Sequence, residues 1–308
     1  ADSITARVAG AMQTKQSLNE IGTNVIDITA QSIMNHHDEF NGGFGQAPKF
    51  PNEPYLYFLL EYAILSGKED DLNAVIKTLH IQSCGGIYDQ IAGGFHRYAT
   101  DQNWLIPHFE KMLYNQANLS YVFAQAYTLT ATKDFKRVAC ETLDYVSHEM
   151  TNKDGSFYSA TDADSEGEEG LFFIWDKEKI EVLLKEDAEE FIKLYQVTAT
   201  GNFEGKNILN LNQPLEDYAN ENNIDYNELV DRLATSKKTL WEAREKRIPP
   251  LRDNKVITAW NAMMIKSFAY VGQQLNRKDY IEIAIRAANA VLEKNKTKDG
   301  QLSRSSLA

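Results

Sequence analysis

The sequence predicts an all-α protein of repeated helix hairpins whose inner and outer helices close into a double ring. Three observations carry this expectation. Helical periodicity dominates the 308 residues, one structural unit recurs after 145 residues, and the first helix of that unit is apolar on nearly every side. A helix apolar all round needs covering on all sides, which closure of a ring provides better than an open stack. A plain right-handed α-solenoid is the alternative arrangement.

The elements follow in order. Tyr55–Leu65 reads as a buried helix with Pro54 suited to its first turn, followed by the turn Gly67-Lys68-Glu69-Asp70 and a Gly85-Gly86 ending; Pro54 to Gly86 is a loose copy of the unit. Leu113–Leu129 is the helix apolar on most faces. In the next helix Phe135, Val138, Ala139, Leu143, Val146 and Met150 make one buried stripe, leaving Lys136, Arg137, Glu141 and Asp144 outside. A shift of 145 places Ala117 on Ala262, Phe123 on Phe268, Lys133-Asp134-Phe135 on Lys278-Asp279-Tyr280, and Asp154-Gly155 on Asp299-Gly300. Lys177–Tyr195 and Tyr226–Arg247 supply helices between the two best copies. The extended pieces Leu171–Trp175 and Asn207–Leu211 are expected to form short β-ribbons on the loop side.

Composition narrows the function. Apolar residues make up 43% and charged residues 25%, enough for a sizeable core. The net charge of −12 opposes nucleic acid and anionic membrane as partners. No apolar run is long enough to span a bilayer, and no signal peptide is visible. Cys84 and Cys140 stand isolated, which fits a reducing, cytoplasmic setting and offers no metal-ligand cluster. No cofactor is expected.

Four segments carry the unusual chemistry. In Gly42–Pro51 a compact Gly- and Pro-rich loop precedes a buried helix, and Lys49 is a candidate cation at the mouth. Gly85–Asn115 is the richest, with Asp89, His96, Arg97, Tyr98, Trp104, His108, Glu110, Lys111 and Asn115 beside glycine pairs that permit close backbone approach. Loop-closing ion pairs, Asp89 with Arg97 and Glu110 with Lys111, are the structural alternative. Asp162–Gly170 opens like a Ca²⁺ loop, but Phe173 stands where the bidentate Glu belongs, so it is no EF-hand. Within it Asp162 or Asp164 is a candidate general acid or base, with Glu166 beside them. Leu251–Ala262 brings Asp253, Trp260 and Asn261 to the start of the repeated inner helix, where a buried Asn must hydrogen-bond a loop or a ligand.

The runs GGFGQAPKFP, GGIYDQIAGGFHRYATDQNWLIPHFEKMLYNQANL, DADSEGEEGLFFIW and RDNKVITAWNAM resemble the spermatogenesis-associated protein 20 family, which includes bacterial thioredoxin-domain-containing members. The resemblance runs from about Gly42 to the C-terminus. It implies an (α/α)6 toroid similar to N-acylglucosamine 2-epimerases and six-hairpin glycosidases, incomplete in this chain and forming a single partial domain over residues 1–308. It also implies a thioredoxin-like domain as partner, and nothing in the chain resembles one.

The expected function is a carbohydrate-active or carbohydrate-binding mouth for a neutral sugar or polyol. Trp104, Trp260 and Tyr98 would stack on the sugar, and Asp89, Arg97, Asp162 and Asp164 would bond its hydroxyls. Glycoside hydrolysis needs two carboxylates about the scissile bond, and Glu110 with Asp162 or Asp164 is the candidate pair. An epimerase needs acid and base on opposite faces; His96 and His108 share one loop and no His follows His148, which disfavours a two-His epimerase. The alternative is a non-catalytic scaffold that binds a ligand or presents a partner.

Overall fold

The computed structural model describes Gly22 and residues 24–307. Helix α1 (Asn24–Met34) packs on α2 (Glu53–Ser66), which forms a hairpin with α3 (Glu69–Cys84). Two further hairpins are α4 (Leu113–Thr130) with α5 (Lys133–Glu149), and α10 (Thr258–Gln274) with α11 (Lys278–Asn295). The inner helices stand side by side, α4 packing against both α2 and α10. This is the hairpin-repeat, mostly helical architecture of the α/α toroids. Between the second and third hairpins lie α6 (Lys177–Leu184), α7 (Ala188–Leu194), α8 (Leu215–Glu221) and α9 (Tyr226–Arg244), which build their own apolar core.

The patterning explains the layers. In α4, Leu113, Ala117, Leu119, Val122, Phe123, Ala124 and Ala126 are all buried, whereas α5 buries only its stripe and leaves Lys136 and Asp144 outside. The equivalence of α10 to α4 is weaker than the sequence suggests: Ala262, Met263 and Ala269 are exposed. Helix α4 is covered by inner helices on both flanks, while α4 covers only one flank of α10.

The 145-residue repeat extends to the strand register. Strand β3 (Lys111–Met112) pairs with β4 (Ala160–Thr161), and β8 (Lys255–Ile257) with β9 (Ser305–Leu307). The pair Lys111↔Thr161 becomes Val256↔Ser306, and Met112↔Ala160 becomes Ile257↔Ser305. Even the bond that starts each inner helix repeats, Leu113 N donating to Ser159 O and Thr258 N to Arg304 O. The loops after α1, α3, α5 and α11 are alike too, each closed by one antiparallel bridge: His37↔Phe44, Tyr88↔Phe95, Thr151↔Phe157 and Lys296↔Leu302.

Each of two such loops is held by the next inner helix. Gln116 Oε1 accepts from Phe95 N at 2.7 Å while its Nε2 donates to Phe95 O at 2.6 Å. Asn261, 145 residues on, does the same to Phe157, at 2.8 and 3.0 Å. A terminal amide matches a backbone amide donor for acceptor, so it acts as a strand of one residue.

The strand expected at Leu171–Trp175 is a turn that keeps a single bridge, Trp175↔Asn207. The carbonyls of Leu171, Phe172 and Ile174 converge on Arg247 Nη1 instead, at 3.3, 2.8 and 2.9 Å. One guanidinium thus satisfies acceptors that a neighbouring strand would otherwise take. The other short strands are β1 (Tyr98–Ala99), β2 (Pro107–His108), β5 (Asp164–Ser165), β6 (Glu168–Glu169) and β7 (Arg252–Asp253).

Candidate functional site

The polar mouth forms where β1 and β2 precede α4. Their register sets Tyr98 opposite His108, and the two rings stack with centroids 4.9 Å apart. His108 Nε2 lies 3.2 Å from Glu110 Oε2, and its Nδ1 lies 2.6 Å from Glu169 Oε1 in strand β6. Glu110 Oε2 also accepts from Arg97 Nη1 at 2.8 Å, while Arg97 N donates to the Glu110 carbonyl. The Glu110 hydrogen bond raises the Arg97 guanidinium further above its ordinary range. At the start of α4 the Tyr114 ring meets Trp260 edge-on at 5.0 Å, and Phe50 extends the surface beyond Tyr98. His108, Glu110, Tyr98, Tyr114 and Trp260 are all half-buried. The surface thus brings together a carboxylate–imidazole contact, a guanidinium and aromatic rings.

A second polar pair lies at the head of the inner helices. Glu53, the first residue of α2, is only 6% exposed, and its Oε1 accepts from Asn115 Nδ2 in the first turn of α4. Burial raises its pKa, outweighing the backbone and Asn115 hydrogen bonds that lower it. Sequence reasoning missed Glu53 because the PNEP stretch looks like a helix start, and its burial depends on α4 packing alongside. Asn115 itself is buried, with its Oδ1 unpartnered.

Beneath the mouth lies a buried charge cluster. Asp89 Oδ2 accepts from Lys111 Nζ at 2.8 Å, and both its oxygens lie 3.0 Å from Arg244 Nη1, a residue 155 positions away at the end of α9. Burial alone would raise Asp89, but Arg244 and Lys111 hold it well below the usual carboxylate range. Burial, opposed by Asp89, lowers Lys111 to about 8. Lys111 also caps Gly93 O at 2.9 Å and lies over the Tyr145 ring. His96 is pushed down to about 3, by burial first and Lys111 next, and its Nδ1 lies 2.9 Å from Phe109 O, with Phe109 and Phe173 edge-on around the ring. The ion pairs considered from sequence, Asp89 with Arg97 and Glu110 with Lys111, therefore exchange partners: strand alternation turns Lys111 inward and Glu110 outward.

Several other expected site residues are placed in the framework. Trp104 is fully buried at φ 65°, its Nε1 donating to Asn41 O, and a Cβ on Gly43 or Gly85 would collide with it; no face is left for stacking on a sugar. Lys49 is fully buried against Asp38 Oδ2 at 2.7 Å and Gly42 O at 2.6 Å, so it ties its own loop instead of standing at the mouth. Asp38 is held well below its usual range, the Lys49 bond overcoming the effect of burial. Asn261 is spent on the Phe157 backbone. Asp253 pairs with its neighbour Lys255 at 2.8 Å. Asp162, Asp164 and Glu166 are exposed; the residue of their hairpin that touches His108 is Glu169. Strand pairing explains this, because Asp164 stands opposite Glu169 across β5–β6 and the returning strand faces the mouth.

Among the described residues no group of three or more His, Cys, Asp and Glu is placed to hold a metal ion, and no helix is long and apolar enough to cross a membrane. Cys84 is buried, and that burial pushes its thiol up to about 12.

No family model matches the chain. Spermatogenesis-associated protein 20 of human and of rat are each 33% identical to it over 288 residues, covering 84% of this chain but 37% and 36% of those proteins. The chain thus spans little more than a third of the length of the curated relatives it matches. Among solved structures, an unsaturated glucuronyl hydrolase specific for heparin aligns over 84% of this chain and 49% of its own, at 11% identity and a TM-score of 0.46. A sugar epimerase from a ruminal bacterium aligns over 92% of this chain and 91% of its own, at 13% identity and a TM-score of 0.39. The motifs, the repeat and the sequence identity agree: the chain is homologous, over most of its length, to a portion of the spermatogenesis-associated protein 20 family.

Proposed function

We propose that the chain is a carbohydrate-active toroid domain whose site is the mouth formed by Arg97, Tyr98, His108, Glu110, Tyr114 and Trp260. One observation supports this above the rest: Glu110 and His108 contact each other on a half-exposed surface flanked by Tyr98, Tyr114 and Trp260. A carboxylate–imidazole pair can move a proton at neutral pH, and aromatic faces suit the apolar side of a sugar ring. The charge balance of −12 favours a neutral sugar over a phosphorylated one. In the longer family members a thioredoxin-like domain is the proposed neighbour, and a cytoplasmic setting fits the two unpaired thiols.

The test is a turnover screen of the protein against reducing sugars and alkyl and aryl glycosides, with Glu110→Gln and His108→Ala alongside. Turnover that falls about 100-fold or more in both variants, within the usual range for loss of an acid–base group, supports the reading. Absence of turnover by the wild-type protein refutes the enzyme and leaves the scaffold reading, which is favoured by the engagement of Glu110 Oε2 with both Arg97 and His108.

A further inference from the structure

We propose that Glu53, clasped by Asn115 at the head of inner helices α2 and α4, is the proton donor of this site, and that the reaction it serves is hydrolysis of a glycosidic bond. The inference rests on the carbohydrate reading above and adds a residue, a direction of proton flow and a reaction type.

The geometry is that of an acid–amide pair. A carboxylic acid and a primary amide match one another with two bonds, N–H to carbonyl oxygen and O–H to amide oxygen. Here Asn115 Nδ2 donates to Glu53 Oε1, while Asn115 Oδ1, itself buried, has no donor. An ionised carboxylate cannot supply one; a protonated Glu53 can. Among the described residues no Lys, Arg or His nitrogen forms an ion pair with Glu53, whereas Asp89, equally buried, has two cations. A buried carboxyl without a counter-charge is held in its neutral form.

The position suits a donor. Glu53 and Asn115 head the two helices whose loops build the mouth. Asn115 directly follows Tyr114, whose ring meets Trp260 edge-on at 5.0 Å, and three residues before Glu53 the Phe50 ring lies 4.8 Å from Tyr98. The carboxyls of Glu53 and Glu110 stand in contrasting settings. Glu110 is paired with a guanidinium, and Glu53 is paired with an amide. Two carboxyls in contrasting environments are what glycoside hydrolysis requires.

In the step proposed, the C1–O bond of the glycoside breaks as the Glu53 proton passes to the leaving oxygen. A water molecule adds to C1 and gives its proton to Glu110. The products are a sugar with a free anomeric hydroxyl and an alcohol. Loss of the Glu110 proton to solvent and uptake of one by Glu53 restore the starting state, with no change in oxidation.

The test combines a spectroscopic and a kinetic measurement on the wild-type protein and on Glu53→Gln, an uncharged isostere that keeps an amide contact to Asn115. The infrared difference spectrum at neutral pH should show a protonated-carboxyl C=O band in the wild type that Glu53→Gln lacks. On alkyl glycosides Glu53→Gln should lose about 100- to 10,000-fold in kcat. On aryl glycosides with strongly acidic phenol leaving groups, which need no protonation to depart, most of the rate should survive. A variant impaired only by misfolding would lose both substrates alike, and circular dichroism checks that separately. Three results overturn the proposal while leaving the carbohydrate reading standing: no such band, unchanged alkyl-glycoside turnover in Glu53→Gln, or equal losses on both substrate classes in a folded variant. Failure of the wild-type protein to turn over any glycoside while it still turns over a reducing sugar defeats the donor role alone; failure on glycosides and reducing sugars alike defeats the carbohydrate-active reading as well.

Discussion

Replacing Asp89 by Asn should destabilise the protein strongly at neutral pH and much less in alkali. The side chain keeps its shape and an oxygen that can still accept from Ile91 N and Ala92 N, now at 3.0 and 3.2 Å. What disappears is the negative charge that Lys111 Nζ meets at 2.8 Å and Arg244 Nη1 at 3.0 Å. Two buried cations then face one another without compensation, and stranding a buried charge costs about 3–5 kcal/mol. Lys111 has an escape that Arg244 lacks, because an ammonium can shed its proton. Lys111 stands at about 8 even with Asp89 beside it, so without that carboxylate it falls lower. An unfolded lysine titrates near ~10.4, so between the two values the unfolded chain binds more protons and stability rises with pH. Urea unfolding at pH 7 and again near pH 9 checks this. The Asp89→Asn loss should shrink at the higher pH, and adding Lys111→Met should recover part of it at pH 7. A loss below about 1 kcal/mol, or one independent of pH and of Lys111, would refute the account of this cluster as a charge-balanced core.

Three further outcomes follow from the same geometry. His96 is held neutral, its pKa lowered to about 3 by burial and by Lys111, while an unfolded histidine titrates near ~6.5. Stability should therefore fall as pH drops from about 6.5 towards 3, and His96→Gln should flatten that part of the urea-midpoint profile. Asn261→Ala strands Phe157 N and O in a buried site and should cost about 2–4 kcal/mol, with Gln116→Ala similar at Phe95; thermal or urea unfolding reads both. Gly43→Ala puts a Cβ 2.5 Å from the Trp104 ring at φ 75°, and should destabilise by about 1–3 kcal/mol, with a change in Trp fluorescence marking the displaced indole.

The repeat was legible in the sequence because inner helices leave a pattern that does not depend on knowing their partners. The 145-residue offset fixes the starts of α4 and α10, of α5 and α11, and even the β3–β4 and β8–β9 registers. That His108, Glu110, Arg97 and Tyr98 belong to one polar segment was legible too, but the ribbon that sets Tyr98 opposite His108 and Arg97 beside Glu110 was not. What stayed hidden was long-range pairing. No local feature announces that Arg244 reaches Asp89, or that Arg247 collects three carbonyls that a β-pattern suggests for a strand. Trp104 misled because an aromatic in a polar, Gly-rich loop reads as a binding platform; it fills the space that Gly43 and Gly85 leave. The acidic run misled by its density: Glu169, at its far end, makes the contact to His108.

The amide clamps of Gln116 and Asn261 bear on how the mouth comes into being during synthesis. The loop that ends one hairpin is gripped by the inner helix of the next, so it cannot settle when its own helices dock. A domain emerging from the ribosome residue by residue would complete its helical layers in chain order while each mouth loop waits for the following hairpin. The Gly85–Tyr98 loop therefore sets only after α4 is in place, and the Asp154–Phe157 loop only after α10, more than 100 residues later. The polar rim should be the last part of each unit to acquire its final shape, and the first to loosen when a neighbouring hairpin is strained.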